Sequence, residues 1–306
     1  MLGRLKSALH RPTASDKVVW ALNKKMDTLR FELRHDALID KAVNDTSRGV
    51  TDTRWCDAEV VVSLTTYGKR LYDVAATVES VMQGTMLPNR IILWLADDLR
   101  SATLPLTLQN QQRRGLEVRF CRDIRSYKKL VPTLAVCPDS VIITIDDDVL
   151  YRYDVVEKLV NDHIAHPDCI IGNRINRIVL GADGRPVSYK KWQWCANPTD
   201  CSFLNFSTGV GGVLYPPHCL AAEVTDESVF MDICPHADDV WFYAMAVKAG
   251  TPTRKGYTHN HLGQDFVENP SVQDVGLARI NLGGVCANDV QLKAVFDRYG
   301  LWDKLA

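Results

Sequence analysis

The sequence has little net charge and no long apolar segment. Its 36 lysines and arginines nearly balance 37 aspartates and glutamates, so no strongly basic surface favours nucleic acid as a partner. No apolar run approaches the roughly 20 residues that cross a bilayer, and the opening MLGRLKSALHR lacks the apolar stretch of a signal peptide. These absences predict a cytoplasmic chain that is at most peripheral at the inner face of a membrane.

The sequence also lacks a closely paired cysteine motif. Nine cysteines are scattered along it without a CxxC pair. The closest two, Cys195 and Cys201, have no neighbours that complete a zinc site. An odd count without a framework predicts reduced thiols, as in a cytosolic protein.

Residues 1–55 differ in pattern from the rest of the 306-residue chain. Val18, Leu22, Met26, Leu29 and Leu33 recur at helical spacing and are followed by the polar stretch NDTSRGVTDTR. We expect a helical N-terminal extension over residues 1–55. Its apolar face needs a partner, which is the main domain, a second copy in a homodimer, or a membrane surface contacted through residues 1–40.

From residue 58 onward, apolar strands alternate with helices. The candidate strands are 59–65, 90–95, 116–120, 141–145 and 169–171, and the candidate helices are 71–83 and 154–166. Continuous apolar strands separated by helices predict an α/β fold with a mostly parallel sheet covered by helices on both faces. In such sheets, ligands bind beyond the carboxyl ends of the strands.

Three successive carboxylates, Asp146, Asp147 and Asp148, follow the strand at 141–145. Like charges this close repel each other, and a hard divalent cation with oxygen ligands relieves the repulsion. An Asp-rich turn capping the next helix is the plain alternative. A phosphatase of the haloacid dehalogenase type, with Asp146 as nucleophile, is another. In those enzymes the strand normally opens the domain, whereas here three strands precede it.

Five stretches together resemble the nucleotide-sugar glycosyltransferases of GT-A fold, closest to the bacterial family-two-like group. They are VVSLTTYGKR, RSYKKLVPTL, ITIDDDV, STGVGGVLYPP and HADDVWFYAMAVKAG. The resemblance runs from about Glu59 to Ala249. It implies a GT-A-type, Rossmann-like domain over residues 56–306, with a nucleotide-binding half at about 58–150 and an acceptor and catalytic half at about 151–306.

The resemblance also implies site residues. It places a Mn²⁺ or Mg²⁺ ion on Asp148 and Asp146, with His259 and His261 as further ligands. It assigns donor binding to Thr65, Thr66, Arg70, Asp97, Lys129, Asp146, Asp147, Gly211 and Gly212. From the residues alone, these segments also fit surface loops, a helix cap, a solvated basic turn and a tight β-turn.

The acceptor and catalytic groups come from two further segments. Trp192 and Trp194 are two residues apart, which puts them on one face of an extended segment where a sugar can stack; a buried apolar face is the alternative. Asp238 and Asp239 open a predicted helix, where acidic residues also cap free N–H groups. The resemblance makes Asp239 the general base, with Asp238 beside it.

These features predict a metal-dependent inverting glycosyltransferase, either a hexosyl- or an N-acetylhexosaminyltransferase. The expected donor is a nucleotide sugar, with UDP-sugars first, and the expected acceptor is a glycan or lipid-linked glycan. The resemblance suggests synthesis of capsule, lipopolysaccharide or another surface polysaccharide. A metal-dependent phosphohydrolase and a non-catalytic protein that binds nucleotide sugars or glycans are the alternatives from other classes.

Overall fold

A computed structural model describes residues 14–260, 263, 265–270 and 286–305. The helices are α1 (Ala14–Asn44), α2 (Val74–Met82), α3 (Leu106–Arg113), α4 (Val131–Val136), α5 (Val155–Ala165), α6 (Glu227–Ile233), α7 (Asp238–Ala249) and α8 (Ala287–Tyr299). The strands are β1 (Val60–Thr65), β2 (Arg90–Ala96), β3 (Leu116–Cys121), β4 (Val141–Thr144), β5 (Val149–Tyr151), β6 (Ile170–Gly172), β7 (Ile175–Arg177), β8 (Gln193–Ala196), β9 (Asn205–Ser207), β10 (Val213–Tyr215), β11 (Thr253–Lys255) and β12 (Phe266–Glu268).

Seven strands form the central sheet in the order β11-β6-β10-β4-β1-β2-β3. The run from β4 to β3 is parallel. Strand β10 is antiparallel to both β4 and β6, and β11 is parallel to β6. The predicted α/β class, with a mostly parallel sheet, flanking helices and an N-terminal helix, is confirmed. The strands and helices predicted between residues 59 and 171 are present, with small shifts at their ends.

The sheet is apolar on both faces, which explains the continuous apolar strands of the sequence. Val60, Val62 and Leu64 of β1 point into the cluster that includes α2 and α5. Val61, between them, points to the other face. Because β1 and β4 run in parallel, the loops after both strands meet at the same edge of the sheet.

Two small sheets extend this edge. Strands β8, β7 and β9 form an antiparallel three-stranded sheet, and β12 pairs with β5. Behind the first lies an aromatic cluster in which Tyr189, Trp192 and Phe206 touch one another. These elements form the wall that faces the loop after β4.

Helix α1 packs on α2 and α3, and the face it buries is not the one predicted. Phe31, Leu38 and Ala42 are buried. The predicted apolar stripe of Val18, Leu22, Met26, Leu29 and Leu33 is 44–67% exposed, so this stripe is not covered by the part of the chain that the structure describes. None of the described helices is both long and apolar enough to span a membrane.

A buried ion pair connects α2 with the chain after α3. Glu79 accepts hydrogen bonds from Arg114 Nη1 at 2.8 Å and Arg114 Nη2 at 3.0 Å. Gln111 and Gln83 donate two further bonds, at 2.9 and 2.7 Å. The buried carboxylate is therefore surrounded by donors that fix its position.

Candidate active site

A cleft of about 650 Å³ opens at the edge of the sheet where the loops after β1 and β4 meet. Its lining comes from these two loops, from the segment before α4, from the start of α7 and from the three-stranded small sheet. The carboxyl-end location is the one expected of a ligand site in a parallel sheet.

The acidic loop after β4 forms the floor of the cleft. Asp147 is buried and accepts a hydrogen bond from Thr66 Oγ1 at 2.6 Å and another from Arg70 Nη1 at 2.8 Å. Arg70 also pairs with Asp148, at 3.2 Å between Nη2 and Oδ2. The short turn Gly68–Tyr72 after β1 carries Arg70 to this position. Thr66 and Arg70 therefore hold the acidic loop, and Arg70 remains part of the cleft lining.

Asp148 and Asp146 form the accessible edge of the loop. Burial, together with the neighbouring Asp146, raises the pKa of Asp148 to about 7, although Arg70 opposes the shift. Asp146 Oδ1 lies 3.2 Å from Lys129 Nζ. The loop thus holds more negative charge than its protein partners neutralise, as expected for a site that receives a cation.

Lys129 connects this loop to the opposite wall. Its Nζ also lies 3.0 Å from Asp238 Oδ2 at the start of α7. Burial opposes the charge of Lys129, but Asp146, Asp238 and Asp239 together raise its pKa well above the usual value. Lys129 is therefore charged at neutral pH and ties the two acidic segments together.

The two aspartates of α7 have different surroundings. Asp238 is buried, and it accepts a hydrogen bond from Ser126 Oγ at 2.8 Å in addition to its pairing with Lys129. Asp239 accepts a bond from the backbone N–H of Gly209 at 3.1 Å. Burial and the neighbouring Asp238 raise the pKa of Asp239 to about 7. A pKa in this range allows Asp239 to exchange a proton near neutral pH.

The glycine stretch contributes a different residue from those predicted. A Cβ atom on Gly209 would lie 2.6 Å from Lys129 Nζ and 2.9 Å from Asp239 Oδ1, so a larger residue there would displace these two side chains. Gly211 and Gly212 have φ values of 96° and 98° and shape the turn into β10, but they do not line the cleft. The glycine motif of the sequence was therefore correctly recognised. The glycine that packs at the cleft is its first one, Gly209.

The predicted tryptophan pair is split. Trp194 is 41% exposed and lines the cleft, whereas Trp192 is 5% exposed and belongs to the aromatic cluster. Trp192 packs against Tyr189 and Phe206 in the core, whereas Trp194 on β8 meets Tyr189 only edge-on and stays exposed. The assignment of Trp192 to the acceptor surface is therefore corrected.

Other predicted residues lie elsewhere. Thr65 lines the cleft. Asp97 sits in an exposed turn after β2, paired with Arg100, and is not part of the cleft lining. His259 Nε2 lies 2.7 Å from Asp154 Oδ2 at the start of α5, also outside the cleft lining. His261 lies outside the described residues.

Several lining residues were not singled out from the sequence. They are Asp123, Arg174, Asn176, Tyr189, Thr208, His236, Glu268 and Asn288. No local pattern marks them, because they come from separate elements that only the fold brings together.

The residues present fit a divalent ion in part. In the described ranges, no group of three or more His, Cys, Asp or Glu side chains is arranged to hold a metal. Asp146 and Asp148 nevertheless offer carboxylate oxygens at the cleft, and the raised pKa of Asp148 shows that its charge lacks full compensation. Two carboxylates are a usual protein contribution to a Mg²⁺ site, since this ion keeps waters and binds substrate phosphates.

Comparison with known proteins gives no sequence relative, because no protein-family model and no curated protein matches the chain. Among solved structures, S. aureus TarS 1-349 is 14% identical with a TM-score of 0.42, over 78% of this chain and 71% of that one. Mannosyltransferase PcManGT from Pyrobaculum calidifontis, in complex with GDP-Man and Mn²⁺, is 15% identical with a TM-score of 0.39, over 78% and 64%. CMP:2-keto-3-deoxy-manno-octonic acid synthetase complexed with CTP is 12% identical with a TM-score of 0.36, over 74% and 98%. These are distant likenesses, and the functional argument rests on the geometry of the cleft.

Proposed function

We propose that this chain is a metal-dependent inverting glycosyltransferase that moves a sugar from a nucleotide sugar to a hydroxyl of a glycan. The observation that carries the proposal is Asp239, a carboxylate with a pKa of about 7 in the same cleft as the loop of Asp146 to Asp148. A general base is most effective when its pKa lies near the working pH. One cleft therefore offers a proton acceptor and an anionic loop suited to a metal–diphosphate.

The acidic loop and its cations form the donor side. Asp148 and Asp146 would hold Mn²⁺ or Mg²⁺, which supplies charge neutralisation to the departing diphosphate when bound. Arg70 and Lys129 hold the carboxylates in place, and both line the cleft where phosphate oxygens would lie. A UDP-sugar is the first donor to test.

Asp239 acts on the acceptor. Its carboxylate removes the proton of an acceptor hydroxyl while that oxygen bonds to the anomeric carbon. The bond from this carbon to the diphosphate oxygen breaks on the opposite side, and the electron pair leaves with the diphosphate. Attack opposite to the leaving group inverts the configuration. Trp194, exposed on the cleft wall, offers a surface on which an acceptor sugar can stack.

The test is donor consumption across a panel of nucleotide sugars, with Mg²⁺, with Mn²⁺ and with a chelator. We expect metal-dependent release of the nucleoside diphosphate from one donor, and its loss in Asp239→Asn. Phosphate release from the nucleotide, with a covalent phosphate trapped on Asp146, would instead identify a phosphohydrolase. Metal-dependent nucleotide binding without any consumption would identify a binding protein. Synthesis of a surface polysaccharide such as capsule or lipopolysaccharide is the setting that we propose.

A further inference from the structure

The cations of the cleft differ in how they are paired. Arg70 is paired with Asp147 and Asp148, Lys129 with Asp146 and Asp238, and Lys128 with Asp123. Each of these three charges has a carboxylate partner inside the protein. Arg125, also in the lining, instead donates to the carbonyl of Pro235 at 2.9 Å.

Arg174 has no such partner among the described residues. It lines the cleft, and its guanidinium forms neither an ion pair nor a hydrogen bond within the described ranges. Its Nε atom is buried and lacks a hydrogen-bond partner. A charged group that is partly removed from water without a partner is destabilising, unless a ligand supplies the opposite charge.

Arg174 lies on the side of the cleft that carries Asp239. Its backbone carbonyl accepts a hydrogen bond from Thr208 N at 3.1 Å. Gly209, which follows Thr208, donates to Asp239. Arg174 therefore follows β6 on the wall that carries the proposed base. The acidic loop that would hold the metal and the diphosphate has its own cations, Arg70 and Lys129.

Tyr189 connects Arg174 with the exposed tryptophan. Burial and the charge of Asp239 raise the pKa of Tyr189 to about 12, while the hydrogen bond from Asn176 and the charge of Arg174 oppose the shift. Trp194 lies edge-on to Tyr189, with the ring centroids 5.4 Å apart. Arg174, Tyr189 and Trp194 all line the cleft, so its lining combines an aromatic surface with a cation.

We propose that Arg174 is the binding site for an anionic group of the acceptor, so that the acceptor is an acidic glycan carrying carboxylate or phosphate groups. A guanidinium matches both anions because it offers two parallel N–H donors. This inference rests on the proposed function for the direction of transfer, although the anion site itself is independent of turnover. An acidic sugar on the donor is the other source of the same chemistry, and it is distinguished below.

The test uses small probes on the protein saturated with UDP and Mg²⁺. Glucuronate is compared with glucose, and glycerol 3-phosphate with glycerol, by titration followed by NMR. Hydrogen bonds to charged groups contribute about 1.5–3 kcal/mol, so we expect at least one acidic probe to bind about tenfold or more tightly than its neutral counterpart. Arg174→Gln should abolish this preference, and Arg174→Lys should retain part of it.

Arg177→Gln is the matched control. Arg177 lies on β7, three residues from Arg174, but its guanidinium is paired with Asp200 and it does not line the cleft. We expect it to behave like the wild type. The affinity for UDP and Mg²⁺ should be the same in the wild type, Arg174→Gln and Arg177→Gln, which also shows that the variants are folded.

Three results would overturn the inference. One is that the wild type does not prefer either acidic probe. Another is that Arg174→Gln keeps the preference or weakens binding of UDP and Mg²⁺. The third is that the wild type prefers UDP-glucuronate to UDP-glucose in an Arg174-dependent way, which would place the anion on the donor. An Arg174-dependent preference for acidic probes without turnover of any donor would support the anion site while refuting the proposed function.

Discussion

Glu79 of α2 and Asp239 of α7 are both carboxylates enclosed by protein, yet their surroundings differ. Glu79 accepts four hydrogen bonds, two from Arg114 and one each from Gln83 and Gln111. Asp239 receives one from the backbone of Gly209, and its pKa is raised to about 7. Four donors hold Glu79 in place so that it braces the fold, whereas Asp239, with one backbone donor and a raised pKa, can change its protonation state.

Asp147 is a carboxylate of the cleft to which we do not assign proton transfer. It lies in the same cleft as Asp239, but Thr66 and Arg70 donate to its two oxygens at 2.6 and 2.8 Å. Its role is to hold Arg70 beside Asp148, so we assign it to positioning of the donor side rather than to proton transfer. Burial raises the pKa of Asp147 as well, while Arg70 and Thr66 lower it. Its two side-chain donors, against the single backbone donor of Asp239, are what distinguish its surroundings.

The largest effect should come from Asp239→Asn. Loss of a general base lowers turnover by roughly 10²–10⁴-fold, while affinity for UDP and Mg²⁺ should be unchanged, because the proton moves in the transition state. Transfer rate and calorimetric affinity are the measurements. Asp238→Asn is the control, and its transfer rate should fall less. A dead Asp238→Asn beside an active Asp239→Asn would reverse the two roles.

Glu79→Ala, unlike Asp239→Asn, should act on the stability of the fold. It leaves Arg114 buried without its main partner, and breaking a buried pair in this way lowers the free energy of unfolding by about 3–5 kcal/mol. Donor affinity of the folded protein should be retained. Asp52→Asn, which removes the exposed partner of Arg48, should leave the free energy of unfolding nearly unchanged, because exposed ion pairs contribute little to stability. Equal effects of both variants in denaturant melts would contradict the comparison.

Asp148→Ala should remove the metal dependence of nucleotide binding, weakening the affinity for UDP with Mn²⁺ by about tenfold or more, equivalent to about 1.4 kcal/mol. Stability of the metal-free protein should hold or rise, since one crowded charge is removed. Calorimetry with and without Mn²⁺ is the test. Asp97→Ala, in the exposed turn outside the cleft lining, is the control. If Asp97→Ala weakens binding and Asp148→Ala does not, the donor side has been misplaced.

Stability of the metal-free protein should depend on pH through the two raised pKa values. Asp148 and Asp239 titrate near 7 in the folded chain and near 3.8 when unfolded. Between these values the folded state binds more protons, so the free energy of unfolding falls as pH rises from about 4 to 7. Between pH 5 and 8, Asp239→Asn should reduce this fall by on the order of 1–2 kcal/mol. Denaturant melts in the presence of a chelator measure the free energy of unfolding at each pH. Parallel curves of this free energy against pH for the wild type and Asp239→Asn would argue against the shifted pKa.

The smallest effect should come from the exposed stripe of α1. Leu29→Gln should change the free energy of unfolding by less than about 0.5 kcal/mol, because Leu29 is 47% exposed. Leu38→Ala, on the buried face of the same helix, should cost about 2–5 kcal/mol. A loss above about 1 kcal/mol in Leu29→Gln that grows with protein concentration would show that a second copy covers the stripe.

The sequence by itself determined the elements and the place of the acidic loop. Runs such as Val60–Leu64 and Val141–Ile145 are local patterns, and burial on both faces of a sheet is what they require. Asp146–Asp148 at the end of a strand and Asp238–Asp239 at the start of a helix were likewise readable, since strand ends and helix starts have local signals. These segments do lie in one cleft.

Only the tertiary structure decided which side chains meet. Lys129 joins Asp146 to Asp238, which are far apart in the sequence, and Arg174 reaches the same cleft from the chain after β6 with no local mark. Trp192 packs against Tyr189 and Phe206 in the core, whereas Trp194 lines the cleft. Helix α1 buried Phe31 and Leu38 and left the more regular stripe outside. Local patterns record what each segment can bury, whereas pairing depends on contacts between segments that are distant in the chain.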